Sequence, residues 1–469
     1  MNLWDTGVLL LYFLILIGIG MIGTRKVNTP EEYVLAGRNL GLVIYCSCLV
    51  AVIIGGAATI GAARLGYEHG ISGMWFVVML GFGIMLLGLF FSGAFNRLKV
   101  TTISELLGLK YGDQTRLISA GVAVIYTNMV TVTQVIGMGS IIHAILGWEL
   151  TTSMIVGGGI VIFYTLLGGM WSVTMTDVIQ FVIMTVGVFF VMLPRSLSHV
   201  GGFSALINQV PATHLDVTHI GGTQIFQYFL LYCLGMVVSQ DIWQRVFTAR
   251  TATVSRTGAV FAGAYSIAWA IALSLIGMCA LVALPALEQP QDAFAAMASD
   301  ILPPGLLGLV LAAVCAALMS NASGSLLASS TLLTNDILVR FLFRDADDRK
   351  YIWISKASTL FLGALAITFA IWIQDVLVAL DVAYAILSGA IFIPVVLGIF
   401  WKKATPKAGF SAVIGGTVVV IGGLALLDIT STDPIMYGMA ASLIIMVSVS
   451  LLDKRLARQP RASEQQTQL

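Results

Sequence analysis

Long apolar runs alternate with short polar stretches along most of the chain. A helix that crosses the hydrocarbon core of a bilayer needs about 20 predominantly apolar residues. Thirteen runs meet this need, and we number them as segments 1 to 13. They lie at roughly 6–24, 41–62, 72–95, 116–146, 152–169, 173–194, 224–246, 256–285, 304–338, 352–373, 376–400, 408–427 and 434–452. The pattern predicts an all-α polytopic membrane protein with about 13 transmembrane helices.

The positions of lysine and arginine agree with this count. Cytoplasmic loops of membrane proteins carry an excess of basic residues. If the N-terminus is outside, thirteen crossings place all but Arg64 and Arg195 of the 24 basic residues in inner loops. We therefore predict a multi-pass protein of the plasma membrane, the bacterial inner membrane, with its N-terminus outside and its C-terminus in the cytoplasm. The polar tail at 457–469 is expected to be disordered.

Composition fits a membrane protein and excludes several other classes. Hydrophobic residues make up 58% of the chain and charged residues 10%, against about 25% charged residues in soluble domains. The net charge of +1 gives no basic surface for nucleic acid. The five cysteines match no zinc or disulfide spacing. No phosphate-binding loop, zinc-protease motif or nucleophile elbow occurs, so we expect no enzyme, no catalytic residue and no cofactor.

The segments fall into two blocks of five with opposite orientation. Segments 2–6 and 7–11 are these blocks, and each begins with a glycine-interrupted helix. Inverted repeats with broken helices at corresponding positions are typical of secondary transporters. We predict helix breaks at Gly55, Gly56 and Gly235, since unwound backbone at membrane depth is tolerated where it lines a cavity. The alternative is that these glycines only allow close helix packing.

This repeat divides the chain into five parts. They are 1–40 (N-terminal helix and inner loop), 41–200 (first repeat), 201–403 (second repeat), 404–456 (last two helices) and 457–469 (tail).

The stretch "AALMSNASGS" at 316–325 is polar in the middle of segment 9. On a helix Ala317, Ser320, Asn321 and Gly324 share one face, because residues three and four apart are neighbours. Ser320 and Asn321 offer neutral oxygens, which suit sodium when unwound backbone carbonyls supply the other ligands. The alternative is the small-residue packing of a buried helix.

Six stretches resemble the sodium/solute symporter family, which includes bacterial proline, galactose and sialic acid carriers. They are "EEYVLAGRNLG", "LGYEHGISGMW", "YTLLGGMWSVTMTDVIQ", "WQRVFTAR", "AALMSNASGSLLASSTLLTNDI" and "PVVLGIFWKKATPKAG". The similarity covers about residues 30–410. It implies a LeuT-type 5+5 inverted repeat formed by segments 2–11, with one additional N-terminal and two additional C-terminal helices. It also implies sodium-coupled symport of a small organic solute by alternating access.

The resemblance also implies a sodium site. Its ligands are Ala317, Ser320 and Asn321, together with the carbonyls of Ala51 and Ile54. The family has Ser or Thr where this chain has Asn321, so proton coupling or uniport remains an alternative.

Other polar residues in the membrane segments are candidates for the transport path. Asp177 opens segment 6, where the family has an acid near the sodium exit, although a carboxylate at a helix N-terminus is also favoured electrostatically. Asp381 lies where the galactose carrier has a substrate-binding glutamine, and a carboxylate there suits an amine. The full set of substrate-binding candidates is Thr59, Thr127, Thr131, Gln134, Ser239 and Asp381. Each of the hydroxyl and amide residues has the alternative of an interhelical hydrogen bond.

The partners expected from these features are a small solute that carries an amine, sodium and the lipid bilayer. Choline itself is disfavoured, because the choline carrier has tryptophans where this chain has Ile53 and Ser239. A sensor that binds solute without transporting it would carry a cytosolic output domain, for which the tail is too short. We expect the protein to function as a monomer.

Overall fold

The computed structural model describes residues 2–24, 29–91 and 100–453 and consists almost entirely of helices. We label the long apolar helices α1 to α13. They are α1 (Leu3–Thr24), α2 (Leu42–Ile53, then Ala57–Gly61 and Ala62–His69), α3 (Trp75–Leu86, then Leu87–Phe91), α4 (Asp113–Leu146), α5 (Leu150–Leu166), α6 (Gly169–His199), α7 (Gly222–Val238, then Gln240–Val246), α8 (Ala252–Ala283), α9 (Leu306–Leu342), α10 (Asp348–Ile373), α11 (Val376–Phe400), α12 (Pro406–Leu427) and α13 (Pro434–Leu452).

The all-helical membrane class is confirmed. Nine stretches of helix in the described part are long and apolar enough to cross a membrane, and the bent pair that forms α7 makes a tenth. Three shorter apolar helices, Leu3–Ile19, Leu42–Ile53 and Leu150–Leu166, fall on predicted segments. The number thirteen is approximate, because the first part of α2 is short and its second part is counted together with α3. Within the described residues the backbone forms no strand, only an isolated bridge between Leu40 and Ala249.

Helix α9 runs through the centre of the protein. All residues at 310–331 are buried, and the helix packs against α1, α4, α5 and α6. Its N-terminus is capped from α1, because Asp5 Oδ1 accepts hydrogen bonds from the N–H groups of Gly305 (2.7 Å) and Gly308 (2.9 Å). These bonds satisfy donors that a helix leaves free at its start, and they attach the beginning of α9 to α1.

Two helices, α2 and α7, are broken within the membrane. The first half of α2 ends at Ile53, and α7 bends by 42° at Ser239. Each broken helix is the first of a block of five, so the breaks occupy corresponding places in the two blocks. The halves of both helices therefore expose backbone groups that other side chains must satisfy.

Several predictions concern residues outside the described ranges. These are the disordered tail at 457–469 and the basic residues Arg25, Lys26, Arg97, Lys99, Lys454, Arg455, Arg458 and Arg461.

Candidate functional site

A buried cavity lies where the breaks of α2 and α7 face α4, α9 and α11. Its walls are mostly apolar, with three polar side chains. The lining residues are Val52, Ile53, Gly55, Ala57, Ala58, Phe76, Leu80, Val130, Gln134, Met236, Asp241, Ile242, Asn321, Leu380 and Tyr384. The free space is about 20 Å³ for the centre of a water-sized molecule, enough for about one water. A larger solute therefore enters only if the helices around the cavity move apart.

The break in α2 is held by two amide side chains. In a regular helix the Gly56 N–H would donate to the Val52 carbonyl, but Ile54 leaves the helical conformation (φ −86°, ψ 84°). Gln134 Oε1 on α4 instead accepts from the Gly56 N–H at 2.6 Å, and Asn321 Nδ2 on α9 donates to the Val52 carbonyl. These two amides replace the missing backbone bond. We call Gln134 and Asn321 the amide clasp.

Gly55 lies between the two amides of the clasp. A Cβ atom at this position would be 2.7 Å from Gln134 Oε1 and 2.8 Å from Asn321 Nδ2, which is closer than side-chain packing permits. Gly56 itself has helical φ and ψ angles. The interruption therefore lies at Ile54 and Gly55, and the absence of a side chain at 55 lets α4 and α9 approach it.

The break in α7 lies at Ser239 rather than at Gly235. Ser239 is extended (φ −77°, ψ 127°), whereas Gly235 lies inside the helix Leu234–Val238, so the prediction of a break there is wrong. Gly235 serves close packing, since a Cβ would be 2.5 Å from Tyr384 Cδ1 of α11. Trp243 Nε1 donates to the Val237 carbonyl (2.7 Å) and satisfies a carbonyl near the bend.

The residues predicted to bind sodium lie around the first of these breaks. Ala51 and Ile54 are fully buried at the end of the first half of α2, and Ala317 and Ser320 are fully buried on α9. Asn321 joins the two helices through its bond to Val52. These contacts place the polar middle of α9 against the α2 break.

Asn321 has one oxygen that no group in the described part of the protein satisfies. The residue is only 7% exposed, and among the described residues its Oδ1 has no hydrogen-bond donor. An unsatisfied buried acceptor costs about 1–3 kcal/mol and calls for an explanation. A cation coordinated by this oxygen would supply one.

Ser320 connects the same face of α9 to a buried ion pair. Its hydroxyl donates to Asp177 Oδ1 at 2.5 Å. Arg245, one turn beyond the bend of α7, lies with Nη2 3.4 Å from Asp177 Oδ2. Both charged side chains are 1% exposed. Asp177 thus adjoins the predicted ion ligand Ser320, while its charge is balanced by Arg245.

The polar stripe on α4 is divided between helix packing and the cavity. Thr127 Oγ1 donates to the Ala123 carbonyl (2.8 Å), and Thr131 shares a 2.9 Å hydrogen bond with Ser325 of α9. Neither is a lining residue, whereas Gln134 is. The structure therefore brings only Gln134 of this stripe to the cavity.

Two further substrate-binding candidates, Thr59 and Ser239, are buried beside the breaks without lining the cavity. The Thr59 hydroxyl donates to the Gly55 carbonyl (2.9 Å), and the Ser239 hydroxyl lies 3.8 Å from Met236 Sδ. The Thr59 hydroxyl therefore bonds within its own helix, whereas the Ser239 hydroxyl also interacts with Tyr126 of α4 and with Asp241.

Asp381 lies one layer away from the cavity. It accepts a hydrogen bond from the Tyr232 hydroxyl, and the Tyr232 ring packs against Phe76 (4.7 Å between ring centroids) and Tyr384 (5.2 Å). Phe76 and Tyr384 line the cavity, but Asp381 does not. Its predicted contact with solute stays a prediction.

The structure also shows site residues that the candidate set lacks. Asp241 lines the cavity two residues beyond the bend of α7, and Tyr126 donates to its Oδ1 (3.1 Å). Arg245 balances Asp177. The signal for both was a charge inside a membrane segment, which is costly and usually functional. No group of three or more His, Cys, Asp or Glu side chains suited to a metal occurs in the described ranges.

The fold and this site define a class of protein. Two broken helices, five helices apart, enclose a buried polar site within a helical membrane protein, which is the arrangement of a secondary transporter of the LeuT type. A solved structure of a Na⁺-coupled sialic acid symporter in a substrate-bound outward-open state has the same fold, with a TM-score of 0.83, 19% identity and coverage of 96% of this chain and 98% of the other. A nucleobase-cation-symport-1 family transporter in a closed conformation matches with a TM-score of 0.62, 15% identity and coverage of 94% and 99%.

The family follows from the sequence comparison. The model of the sodium:solute symporter family matches residues 33–416, so the chain belongs to that family. Its relatives include the high-affinity proline transporter PutP of Bacillus subtilis, 26% identical over 92% of this chain and 95% of that protein. The sodium/proline symporter of Staphylococcus aureus (strain JH9) is 28% identical over 96% and 93%. That of Haemophilus influenzae is 26% identical over 86% and 84%.

Membership settles the general activity. The protein is a multi-pass membrane transporter and not an enzyme, and it belongs to a family whose members use Na⁺ as the coupling ion without a bound cofactor. The expectations from the sequence on these points are confirmed.

Proposed function

We propose that the protein carries a small amine-bearing solute into the cell together with sodium. The observation that carries this proposal is Asn321, whose Oδ1 is buried between the α2 break and the cavity and has no donor among the residues that the structure describes. The Na⁺ coupling of the family and the proline transport of three relatives support it. An amino acid such as proline is an amine-bearing solute of the right size to test first.

The proposed sodium ligands are oxygens of five residues on α2 and α9. They are the backbone carbonyls of Ala51, Ile54 and Ala317, the hydroxyl of Ser320 and the amide oxygen of Asn321. Sodium at this position would relieve the unsatisfied amide oxygen. Asp177, bonded to Ser320, would attract the ion as it leaves.

The arrangement in the membrane is part of the proposal. The basic residues support an N-terminus outside and a C-terminus in the cytoplasm of a bacterial inner membrane. We also propose that residues 41–200 and 201–403 form two five-helix repeats and that the protein acts as a monomer.

Uptake into proteoliposomes tests the coupling. Protein reconstituted in liposomes should accumulate at least one labelled solute from a panel of proline, other amino acids and simple amines when sodium is higher outside. Accumulation should collapse when a sodium ionophore dissipates the gradient. Accumulation driven by an imposed pH gradient in sodium-free buffer would refute sodium coupling and favour the proton-coupled alternative. Equilibration without accumulation under either gradient would favour a uniporter.

A further inference from the structure

Asp241 is a buried carboxylate that faces the central cavity. It lies two residues after the bend at Ser239, is 3% exposed, and lines the cavity together with Asn321 and Gln134. Among the described lining residues it alone carries a charge. A carboxylate at this depth of a membrane protein is unfavourable unless a cation or a proton balances it.

The guanidinium nearest in the chain is already engaged elsewhere. Arg245, one turn further along the same helix, lies 3.4 Å from Asp177 and beside Gly324 of α9. The direct ion pair of Arg245 is with Asp177, and its charge acts on Asp241 only from a longer distance. Asp241 receives hydrogen bonds from the neutral Tyr126 hydroxyl, from its own backbone N–H and from the Ser239 hydroxyl, which use part of the roughly four acceptor positions of a carboxylate. The remaining positions can take the N–H donors of an ammonium group.

Aromatic rings line the cavity that this carboxylate faces. The Tyr126 ring packs against Tyr384 at 5.2 Å between ring centroids, and Tyr384 and Phe76 form part of the cavity wall. Ring faces attract cations, and these rings with Leu380 offer apolar surface for a carbon skeleton. Both features favour a solute that combines a positive nitrogen with a small apolar body.

We propose that Asp241 binds the ammonium group of the transported solute, which makes small primary or secondary amines with an apolar body the substrate class. This inference rests on the proposed function, which needs a solute site but does not assign it. Asp381 is the competing carboxylate, but it is bonded to Tyr232 behind the cavity wall. The sodium ligands of the proposed function are neutral oxygens, so Asp241 remains available to the amine.

Binding measurements on the purified full-length protein test the assignment. The probes are proline, pyrrolidine and the amine-free analogue cyclopentanecarboxylate, each followed by thermal stabilisation at constant ionic strength. Wild type should be stabilised by at least one of the two amines and not by cyclopentanecarboxylate. Asp241→Asn keeps the size of the side chain and an oxygen for Tyr126. It should weaken binding of the amine at least 100-fold while sodium still stabilises the protein.

A matched control separates loss of the amine site from loss of any buried acid. Asp336 on α9 is a fully buried carboxylate paired with Arg116, outside the cavity lining. Asp336→Asn should lower thermal stability and leave the affinity for the amine within a few-fold of wild type.

Three results would overturn the assignment. Amine affinity lost in Asp381→Asn but kept in Asp241→Asn would place the site at Asp381. Sodium stabilisation lost in Asp241→Asn while amine binding persists would make Asp241 an ion ligand. A wild type that responds to cyclopentanecarboxylate but to neither amine would exclude an amine site. By contrast, a wild type that binds the amine through Asp241 but shows no sodium-driven uptake would refute the proposed function and leave this inference intact.

Discussion

Replacement of Asn321 by alanine tests the two roles of this side chain, as a hydrogen-bond donor to α2 and as a proposed sodium ligand. The side chain donates from Nδ2 to the Val52 carbonyl, and its Oδ1 has no donor among the described residues. Asn321→Ala removes both groups at once. The variant leaves the Val52 carbonyl without its donor, and it should lose sodium dependence because the free oxygen is gone.

The loss of the hydrogen bond and the loss of the sodium ligand differ in how they depend on sodium. A buried carbonyl left without its donor costs about 1–3 kcal/mol, whether or not sodium is present. Sodium binding to the folded state adds about 2.7 kcal/mol when the ion is at 100 times its dissociation constant. Without sodium this cost is offset in part, because the same change removes the unsatisfied Oδ1, so the two proteins should differ little in stability, and the difference should widen when sodium is added.

Asn128 provides a matched control for this experiment. It is also a buried asparagine, its Nδ2 donates to a backbone carbonyl, that of Leu362 (3.2 Å), and its Oδ1 also has no donor in the described part of the chain. It does not line the cavity. Asn128→Ala makes the same exchange of hydrogen-bonding groups, so it should leave the stabilisation by sodium unchanged.

Thermal unfolding of the purified variants in detergent measures both effects. Sodium chloride is exchanged for potassium chloride at constant ionic strength, and each variant is compared with itself in the two salts. If sodium stabilises Asn321→Ala as much as wild type, Asn321 Oδ1 is not an ion ligand. If sodium stabilises neither wild type nor Asn128→Ala, this carrier has no sodium site.

Three further outcomes are expected. Ser320→Ala should raise the sodium concentration that gives half-maximal uptake, since it removes a proposed ligand; an unchanged value would exclude its hydroxyl from the site. Gly324→Ala places a Cβ 2.5 Å from Arg245 Nη2 and should lower the stability of the protein by up to about 3–5 kcal/mol if the ion pair with Asp177 breaks. Gly121→Ala is the control, because a Cβ there has no atom within 4 Å and should not destabilise the protein; equal melting temperatures of the two variants would contradict this reasoning. A phosphatase fused to the C-terminus should be inactive in a bacterial host, and activity in the periplasm would overturn the orientation.

The sequence predicts the positions of the membrane segments well, because a membrane helix needs a continuous apolar run of about 20 residues. The last two predicted segments, 408–427 and 434–452, nearly coincide with Pro406–Leu427 and Pro434–Leu452. Apolar length decides such boundaries. The glycine at 235 predicts a break in the wrong place, because close packing of Tyr384 against it, and not an interruption of the helix, explains the residue. The bend falls on Ser239, whose own side chain carries no strong breaking signal.

The contacts within the site could be identified only from the three-dimensional structure. Sequence reasoning found Gln134 and Asn321 separately, as members of an α4 stripe and an α9 motif. Nothing in the one-dimensional pattern indicates that both amides meet at Gly55 and replace one backbone bond. Asp241 could have been found by the rule that singled out Asp177, because both are acids inside membrane segments.

The amide clasp also accounts for asparagine at a position where the resemblance implies a hydroxyl. A serine or threonine hydroxyl at 321 has a shorter reach than an amide, which spans from α9 to the Val52 carbonyl while an oxygen stays free. One residue thereby contacts the α2 break, lines the solute cavity and offers an oxygen to the proposed ion. If the ion fixes Asn321, it also fixes that wall of the solute site. Linkage then requires that solute tighten sodium binding by the same factor by which sodium tightens solute binding.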